Sequence, residues 1–516
     1  MFFTIGPVMT LYPATGPSDT ETYSNQNRKH VRNELRVGPG TMPDIPDDQY
    51  KWVAMAIASL GTLVGVLNAS TLIIALPVMM VQLNTDLVGV TWVLISYMLL
   101  ITILAPACGR LADMYGSRNL YIAGLAVFTI GSLLCGFAPD ITWLIGFRVI
   151  QAIGGAVIIA NATIIVVDAF PRYELGKAMG ILSMIMAATF VVGPIIGGFL
   201  TMIDWRLNFY LNIPIGIVAT VYAYYRLREA RFTTTEESFD LRGMVLFTIA
   251  FITLTVYGSA GFLFGLFSLP MLITLAAGLV SLILFIRRET TTPHPLVDLS
   301  LFSIRAFGYG QLSAFINAIA RGAVMLLLIL FFQGLKGYDP LMASILIAPL
   351  AIGLVITGPL GGILSDRYGT RAISTTGLII ALAGLAGLAF MQYDTPYWVI
   401  AAWMFVNGFG SGLFQPPNTS AIMASVPGER RGAASAMRAF FNNTGMVISM
   451  TIALPLLVAT IPLDQMMQMF VVGGMNMPVA TQIVFTQGIT AVFFLSCILT
   501  MLAIIVSALR GPDIHH

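Results

Sequence analysis

Charge is what this sequence has least of. Asp, Glu, Lys and Arg make up 10% of its 516 residues, where a soluble domain carries about 25%. With 57% of the residues hydrophobic, too little polar surface remains to cover the apolar part. This excludes a soluble globular fold and requires a bilayer. Cysteine is nearly as scarce. Cys108, Cys135 and Cys497 are scattered through apolar runs, which excludes a disulfide framework or zinc site and reads as small helix-packing residues. The four histidines, His30, His294, His515 and His516, fall in tails or loops. No acidic pair, Ser-His-Asp set or phosphate-binding loop accompanies them, so no enzyme, catalytic residue, metal, cofactor or direct ATP drive is expected. A net charge of +2 is too small to indicate a nucleic-acid partner.

What the chain does have is long apolar runs. A membrane span needs about 20 such residues. Candidates lie near 53–77, 89–109, 119–138, 141–168, 176–202, 207–226, 243–262 and 266–287, then near 307–333, 343–364, 373–391, 396–424, 433–462 and 484–508. Each must be an α-helix, because backbone groups cannot go unpaired in lipid. Outside the runs, every Lys and Arg except Arg206 and Lys336 falls on one side of the alternation. The positive-inside rule then predicts a multi-pass cell-membrane protein with both termini in the cytoplasm. Residues 1–50 read as a disordered cytoplasmic tail. Met1–Thr10 lacks the basic region of a cleaved signal peptide, and Met9 and Met42 are alternative starts.

The stretch Gly109-Arg110-Leu111-Ala112-Asp113-Met114-Tyr115-Gly116-Ser117-Arg118 recurs as Gly362-Ile363-Leu364-Ser365-Asp366-Arg367-Tyr368-Gly369-Thr370-Arg371, at an offset of 253 residues throughout. Such a repeat implies two similar halves with a site between them near the midplane. The predicted organisation is a six-helix bundle over 51–230, an inserted two-helix linker over 231–300, a second six-helix bundle over 301–510 and a tail over 511–516. The loop after the thirteenth span, Pro462 to Gln482, carries several methionines and reads either as an amphipathic element at the outer surface or as a helix extension.

Four motifs in order resemble those of the major facilitator superfamily, and in particular its fourteen-span drug:proton antiporters. Gly109–Arg118 is similar to motif A. Gly146-Phe147-Arg148-Val149-Ile150-Gln151-Ala152-Ile153-Gly154 is similar to motif B in the fourth span. Gly193-Pro194-Ile195-Ile196-Gly197-Gly198 resembles the antiporter motif C in the fifth, and Trp205 to Gly216 resembles the stretch opening the sixth. The resemblance covers residues 50–510. It implies an all-α major facilitator fold of fourteen transmembrane helices: two six-helix bundles plus two inserted central helices. The implied function is secondary-active export of amphiphilic or drug-like compounds by proton antiport with alternating access. The implied partners are a small-molecule substrate, a coupling proton and the lipid bilayer, with the chain acting as a monomer. The alternative is an exporter of an endogenous lipid, organic anion or metabolite; a non-transporting sensor would leave the motifs unexplained.

The resemblance also assigns roles. Gly109, Asp113, Gly116 and Arg118 form a cytoplasmic latch, or else only terminate helices. Gly193, Pro194, Gly197 and Gly198 form a hinge favouring export, or else ordinary close packing. Arg148 joins Asp113 as a coupling candidate, or else snorkels to the surface. Arg321 lies deeper, halfway along its span, and Arg438 begins the thirteenth span near the basic pair Arg430 and Arg431. Asn68, Thr71, Asn161, Asn317, Arg321, Asn407, Gln415 and Asn418 are candidate cavity contacts, as polar groups in lipid turn toward protein or water. One departure stands out. The family usually carries an acid in the middle of the first span, and here that position is Asn68, which cannot titrate. No Asp or Glu stands near the midplane of any span. Either coupling runs through Asp113 and Arg148 alone, or a cavity holding Arg148 and Arg321 prefers anionic cargo.

Overall fold

The computed structural model describes residues 48–171, 174–228, 240–292, 299–426, 431–470 and 474–511. The predicted tails therefore lie largely outside the described residues. Fourteen helices are long and apolar enough to cross a membrane. They are α1 (Asp48–Gln82), α2 (Leu87–Tyr115), α3 (Ser117–Gly136), α4 (Ile141–Ala169), α5 (Leu175–Ile203), α6 (Leu207–Arg226), α7 (Leu241–Phe264) and α8 (Leu269–Glu289), followed by α9 (Arg305–Leu335), α10 (Pro340–Tyr368), α11 (Thr370–Ala389), α12 (Tyr397–Ala424), α13 (Arg431–Val458) and α14 (Val479–Ala508). No described residue is in a strand.

The scarce carboxylates go to helix ends. Asp86, Asp140, Asp240 and Asp339 cap α2, α4, α7 and α10, each accepting a backbone N–H of the first turn. Such caps satisfy donors that would otherwise be orphaned. The internal repeat reaches the backbone. α1 to α3 and α9 to α11 end and begin at matching positions (Gln82 and Leu335, Leu87 and Pro340, Tyr115 and Tyr368, Ser117 and Thr370, Gly136 and Ala389). Between each second and third helix stands a glycine at positive φ, 90° at Gly116 and 88° at Gly369. That conformation disfavours any residue with a Cβ, which is why both copies of the motif keep a glycine there.

α1–α6 pack among themselves, as do α9–α14, and the two bundles meet through α2 against α13 and α5 against α10. α9 is not one regular helix: it breaks at Gly322 and Ala323 and finishes in a π-helical turn over Leu330–Leu335. In that turn Gln333 Nε2 donates to the Ile74 carbonyl of α1 at 2.9 Å. Around it, Leu72–Leu76 and Val324–Leu335 are buried. The seam is thus sealed at the end opposite the arginine-rich one. The segment after α13 joins the seal, since Met466 and Met469 are buried and Phe470 packs over Gly334. Those two methionines pack inward while Gln465 and Gln468 beside them stay exposed, so the described part of the loop has one apolar and one polar face.

The inserted pair is peripheral. Only 28% and 17% of the apolar stretches of α7 and α8 are buried, against 78% in α1, so their faces are left to lipid. α8 packs on α7, and α7 lies across α2 and α13, with the Phe247 ring tilted against Phe440, centroids 5.0 Å apart. The base of this hairpin is clamped by Asp240, which accepts from the Gly243 amide at 3.0 Å and pairs with Arg288 at 3.2 Å. Burial alone would push this carboxyl up; the Gly243 amide and Arg288 outweigh it and hold the group below the usual carboxylate range. A depressed pKa means that the cap contributes above the unfolded value and is lost as pH falls through the folded one. Asp240→Ala is expected to cost about 1 kcal/mol, read as a melting-temperature drop at neutral pH that vanishes on acidification.

Candidate functional site

The site is built outward from Asn68, in the middle of α1. Its side chain points into the first bundle and is 1% exposed. Its Oδ1 accepts three N–H bonds, each at 3.3 Å, from Arg148 Nη1 and Gln151 Nε2 of α4 and from Asn212 Nδ2 of α6. Arg148 and Gln151 are spaced to share one helix face. Arg148 Nε donates to the Val93 carbonyl of α2 at 3.0 Å, and Nη1 donates to Gln151 Oε1 at 2.6 Å. The guanidinium lies over the Tyr97 ring, 4.1 Å from its centroid, a favourable cation–π contact. Ser132 of α3 closes the knot, accepting from Gln151 at 3.0 Å and Asn212 at 3.2 Å and donating to the Phe209 carbonyl at 2.9 Å. Five helices converge here.

Arg148 is fully buried. It does not snorkel: its guanidinium is held by neutral acceptors inside the bundle. Arg321 sits in the other bundle, on α9. The electrostatics of the knot are one-sided. Every described partner of Asn68 Oδ1 is a donor; Arg148 Nη2 is unbonded, and Asn68 Nδ2 has only the Tyr97 hydroxyl beside it. A carboxylate would suit that environment better than an amide.

The other predicted contacts are dispersed. Thr71 is buried one turn from Asn68, beneath Gly197. Asn161 bonds the Val157 carbonyl of its own helix at 2.8 Å. Asn407 clasps the Ala381 carbonyl of α11 at 3.0 Å, and Asn418 the Gly310 carbonyl of α9 at 3.2 Å. Their amides are committed to holding helices together. Asn317 is buried in α9. Gln415, Asn442, Asn443, Arg321 and Arg438 are half-buried, on α12, α13 and α9. Gln151, Ser132, Asn208, Asn212 and Tyr97 were not singled out from the sequence. Gln151 and the i, i+4 pair Asn208 and Asn212 stand inside the quoted motifs, so their spacing was available as a signal. Nothing marks Ser132.

Motif A is partly visible. Gly109 and Asp113 lie in the helical backbone of α2, but the placement of the Asp113 side chain lies outside the described residues. Arg118 Nη2 donates to the Tyr224 carbonyl at 2.7 Å and Nε to the Leu227 carbonyl. A cation there complements the C-terminal end of α6. The small residues of motif C, Gly193, Pro194, Gly197 and Gly198, are buried, while Ile195 is exposed. A Cβ on Gly193 would fall 2.0 Å from Ser70 Oγ, and one on Gly197 2.5 Å from the Thr71 carbonyl oxygen. At Gly198 it would meet α10, 2.6 Å from Ser344 Oγ and 2.7 Å from the Pro340 carbonyl oxygen. Gly198 therefore touches the opposite bundle at the sealed end.

The chain matches the family model of the Major Facilitator Superfamily over residues 58–309 and 311–515. It is 30% identical over 405 residues to the riboflavin transporter RibZ of Clostridioides difficile (strain 630), covering 78% of this chain and 87% of that one. It is likewise 30% identical to the multidrug transporter protein MdtP of Bacillus subtilis (strain 168), over 77% of this chain and 72% of that one. Among solved structures, a bacterial homologue of the human lysosomal transporter Spinster, inward-facing and unoccupied, superposes with a TM-score of 0.64 at 17% identity, covering 90% of this chain and 97% of that one. Fold, repeat and matches agree: the chain belongs to the major facilitator superfamily and is a multi-pass membrane transporter of small molecules.

Proposed function

We propose that this transporter exports small amphiphilic molecules by alternating access, acting as a monomer with its arginine-rich end in the cytoplasm. The observation that carries the reading is the asymmetry of the seam. Gly198 against α10 and Gln333 against α1 seal one end. Gln415, Asn442, Asn443, Arg321 and Arg438 are only partly buried in the spans on the other side, as expected where polar groups line a water-reaching path. Relatives named for riboflavin and for multiple drugs support a small organic cargo.

Proton antiport is the drive that the resemblance implies, and Asp113 is the carboxylate left to serve it. The amide at position 68 favours a second reading, in which the charge of the cargo itself couples export to the membrane potential. Purified protein in liposomes under an imposed pH gradient separates the two. Cargo-linked proton flux that disappears in Asp113→Asn supports antiport. Flux of cargo that ignores the gradient rejects it and leaves the potential as the drive. No cargo movement above that of empty liposomes rejects the exporter.

A further inference from the structure

The repeat register pairs residues across the two halves. At the offset of 253 residues that matches α1 to α9, Asn68 corresponds to Arg321. α4 matches α12 at an offset of 256, where Gln151 lies against Gly131 as Asn407 lies against Gly384, so Arg148 corresponds to Met404. The second bundle thus carries its arginine on the helix where the first bundle carries an amide. The knot is not rebuilt there: Ser132 corresponds to Leu385, and Asn407, the counterpart of Gln151, gives its amide to the Ala381 carbonyl. Arg321 consequently has none of the acceptors that hold Arg148. Among the described residues its guanidinium makes no hydrogen bond or ion pair, and its Nε is buried without a partner. No carboxylate can reach it from a span interior, because every Asp and Glu within α1–α14 lies in a first or last turn.

The surroundings are built around this residue. α9 breaks directly after Arg321, and the Ala323 amide donates to Ser449 Oγ of α13 at 2.9 Å. α9 and α13 run parallel, with Phe315 beside Phe441 and Ala318 beside Gly445. On α13, Arg438 lies nearer the arginine-rich end, and its Nε is also buried without a partner. From the arginine-rich end inward, α13 and α9 thus carry one cation and then another, with no carboxylate in the span interiors between them.

We infer that Arg321 binds the anionic group of the cargo, and that export of this anion is driven by the membrane potential rather than by a proton held in the membrane. The inference rests on the exporter reading above and names its substrate class, an amphiphilic organic anion. A bound anion supplies the counter-charge that a cation in a span requires. An inside-negative potential of about 100 mV expels a monovalent anion against an about 50-fold gradient without a coupling ion. An anion exporter has no need of the acid missing at position 68.

The test uses four compounds with one aromatic body: naphthalene-acetate, naphthalene-sulfonate and naphthyl phosphate as anions, and naphthylmethyl-trimethylammonium as the cation. Binding to the purified full chain is followed by tryptophan fluorescence. The anions are expected to compete with one another, to bind at least tenfold more weakly to Arg321→Gln and to be largely retained by Arg321→Lys. Equal binding of the cation, or anion affinity unchanged in Arg321→Gln, would overturn the inference. Melting temperature separates a binding from a structural role. Removing an unpartnered cation should leave stability unchanged or raised, whereas a drop as large as that of Arg148→Gln would show a structural arginine and defeat the proposal. In liposomes, anion flux should follow a potassium diffusion potential with no pH gradient. Equal cation flux with Arg321→Gln unaffected rejects the anion inference and keeps the exporter. If no compound outpaces empty liposomes, the exporter reading fails and the binding arm alone decides the anion site.

Discussion

Replacing Asn68 by Asp is expected to stabilise this protein and to make its transport respond to a pH gradient. Such a gain from placing a carboxylate in a membrane span runs against the usual cost of intramembrane charge. The reason is local. Arg148, Gln151 and Asn212 all donate to Asn68 Oδ1, while the Asn68 amide nitrogen has only the Tyr97 hydroxyl beside it and Arg148 Nη2 stays unpaired. Aspartate exchanges that donor for a second acceptor and gives the buried guanidinium a counter-charge. Hydrogen bonds to charged groups contribute about 1.5–3 kcal/mol, and the desolvation of Arg148 has already been met in the parent. The melting temperature should rise by several degrees. Asn68→Leu should lower it by more, because it removes an acceptor from three buried donors at once. In liposomes the aspartate variant should show cargo flux that changes with an imposed pH gradient. A fall in melting temperature for Asn68→Asp would mean that the knot prefers a neutral residue, and the donor-rich reading of the site would be abandoned.

The second large effect is expected at Gly198. This residue meets the opposite bundle at the sealed end, where a Cβ would come within 2.6 Å of Ser344 Oγ and 3.0 Å of Leu341 Cα. Gly198→Leu cannot be absorbed by a side-chain rotation, since the Pro340 carbonyl oxygen at 2.7 Å is backbone. Overpacking of this kind costs about 1–3 kcal/mol. Levied on one conformation only, it shifts the population toward the other by about ten- to hundredfold. Transport should fall by at least tenfold with the fold intact. Spin labels at Ile203 and Met342, exposed positions on α5 and α10, should move apart in the variant. An unchanged distance with normal transport would reduce motif C to ordinary packing.

The fold was legible because its signals are one-dimensional. Span length, the lopsided arginines and the repeated Gly109–Arg118 stretch each stand in a single run of sequence, and α1 to α14 fall where those runs predict. Gly116 and Gly369 show why the repeat is readable: an unusual backbone angle demands one residue type in both copies. The site was legible only at its charged and motif-bearing members. Arg148 and Asn68 are conspicuous in apolar helices, but their contact joins α1 to α4, and nothing local announces it. Asn407 and Asn418 look like Asn68 in the sequence and yet clasp neighbouring helices, because an amide serves a backbone carbonyl as readily as a cargo. Arg148 and Arg321 also look alike. Only the three-dimensional neighbours, polar around one and absent around the other, tell them apart.

The order in which the knot's parts appear along the chain bears on how the protein is made. When α4 leaves the translocon, α1, α2 and α3 have already been synthesised. The Asn68 side chain, the Val93 carbonyl, the Tyr97 ring and the Ser132 hydroxyl then precede Arg148, and only the α6 groups follow it. An arginine at a helix centre costs about 2.5–3.5 kcal/mol on insertion, and here the earlier helices offer it a ready berth. α9 has no such reception, since α12 and α13 are synthesised after it. Arg321 therefore enters the membrane without a partner and, among the described residues, finds none in the finished bundle, so its insertion cost is not offset as that of Arg148 is.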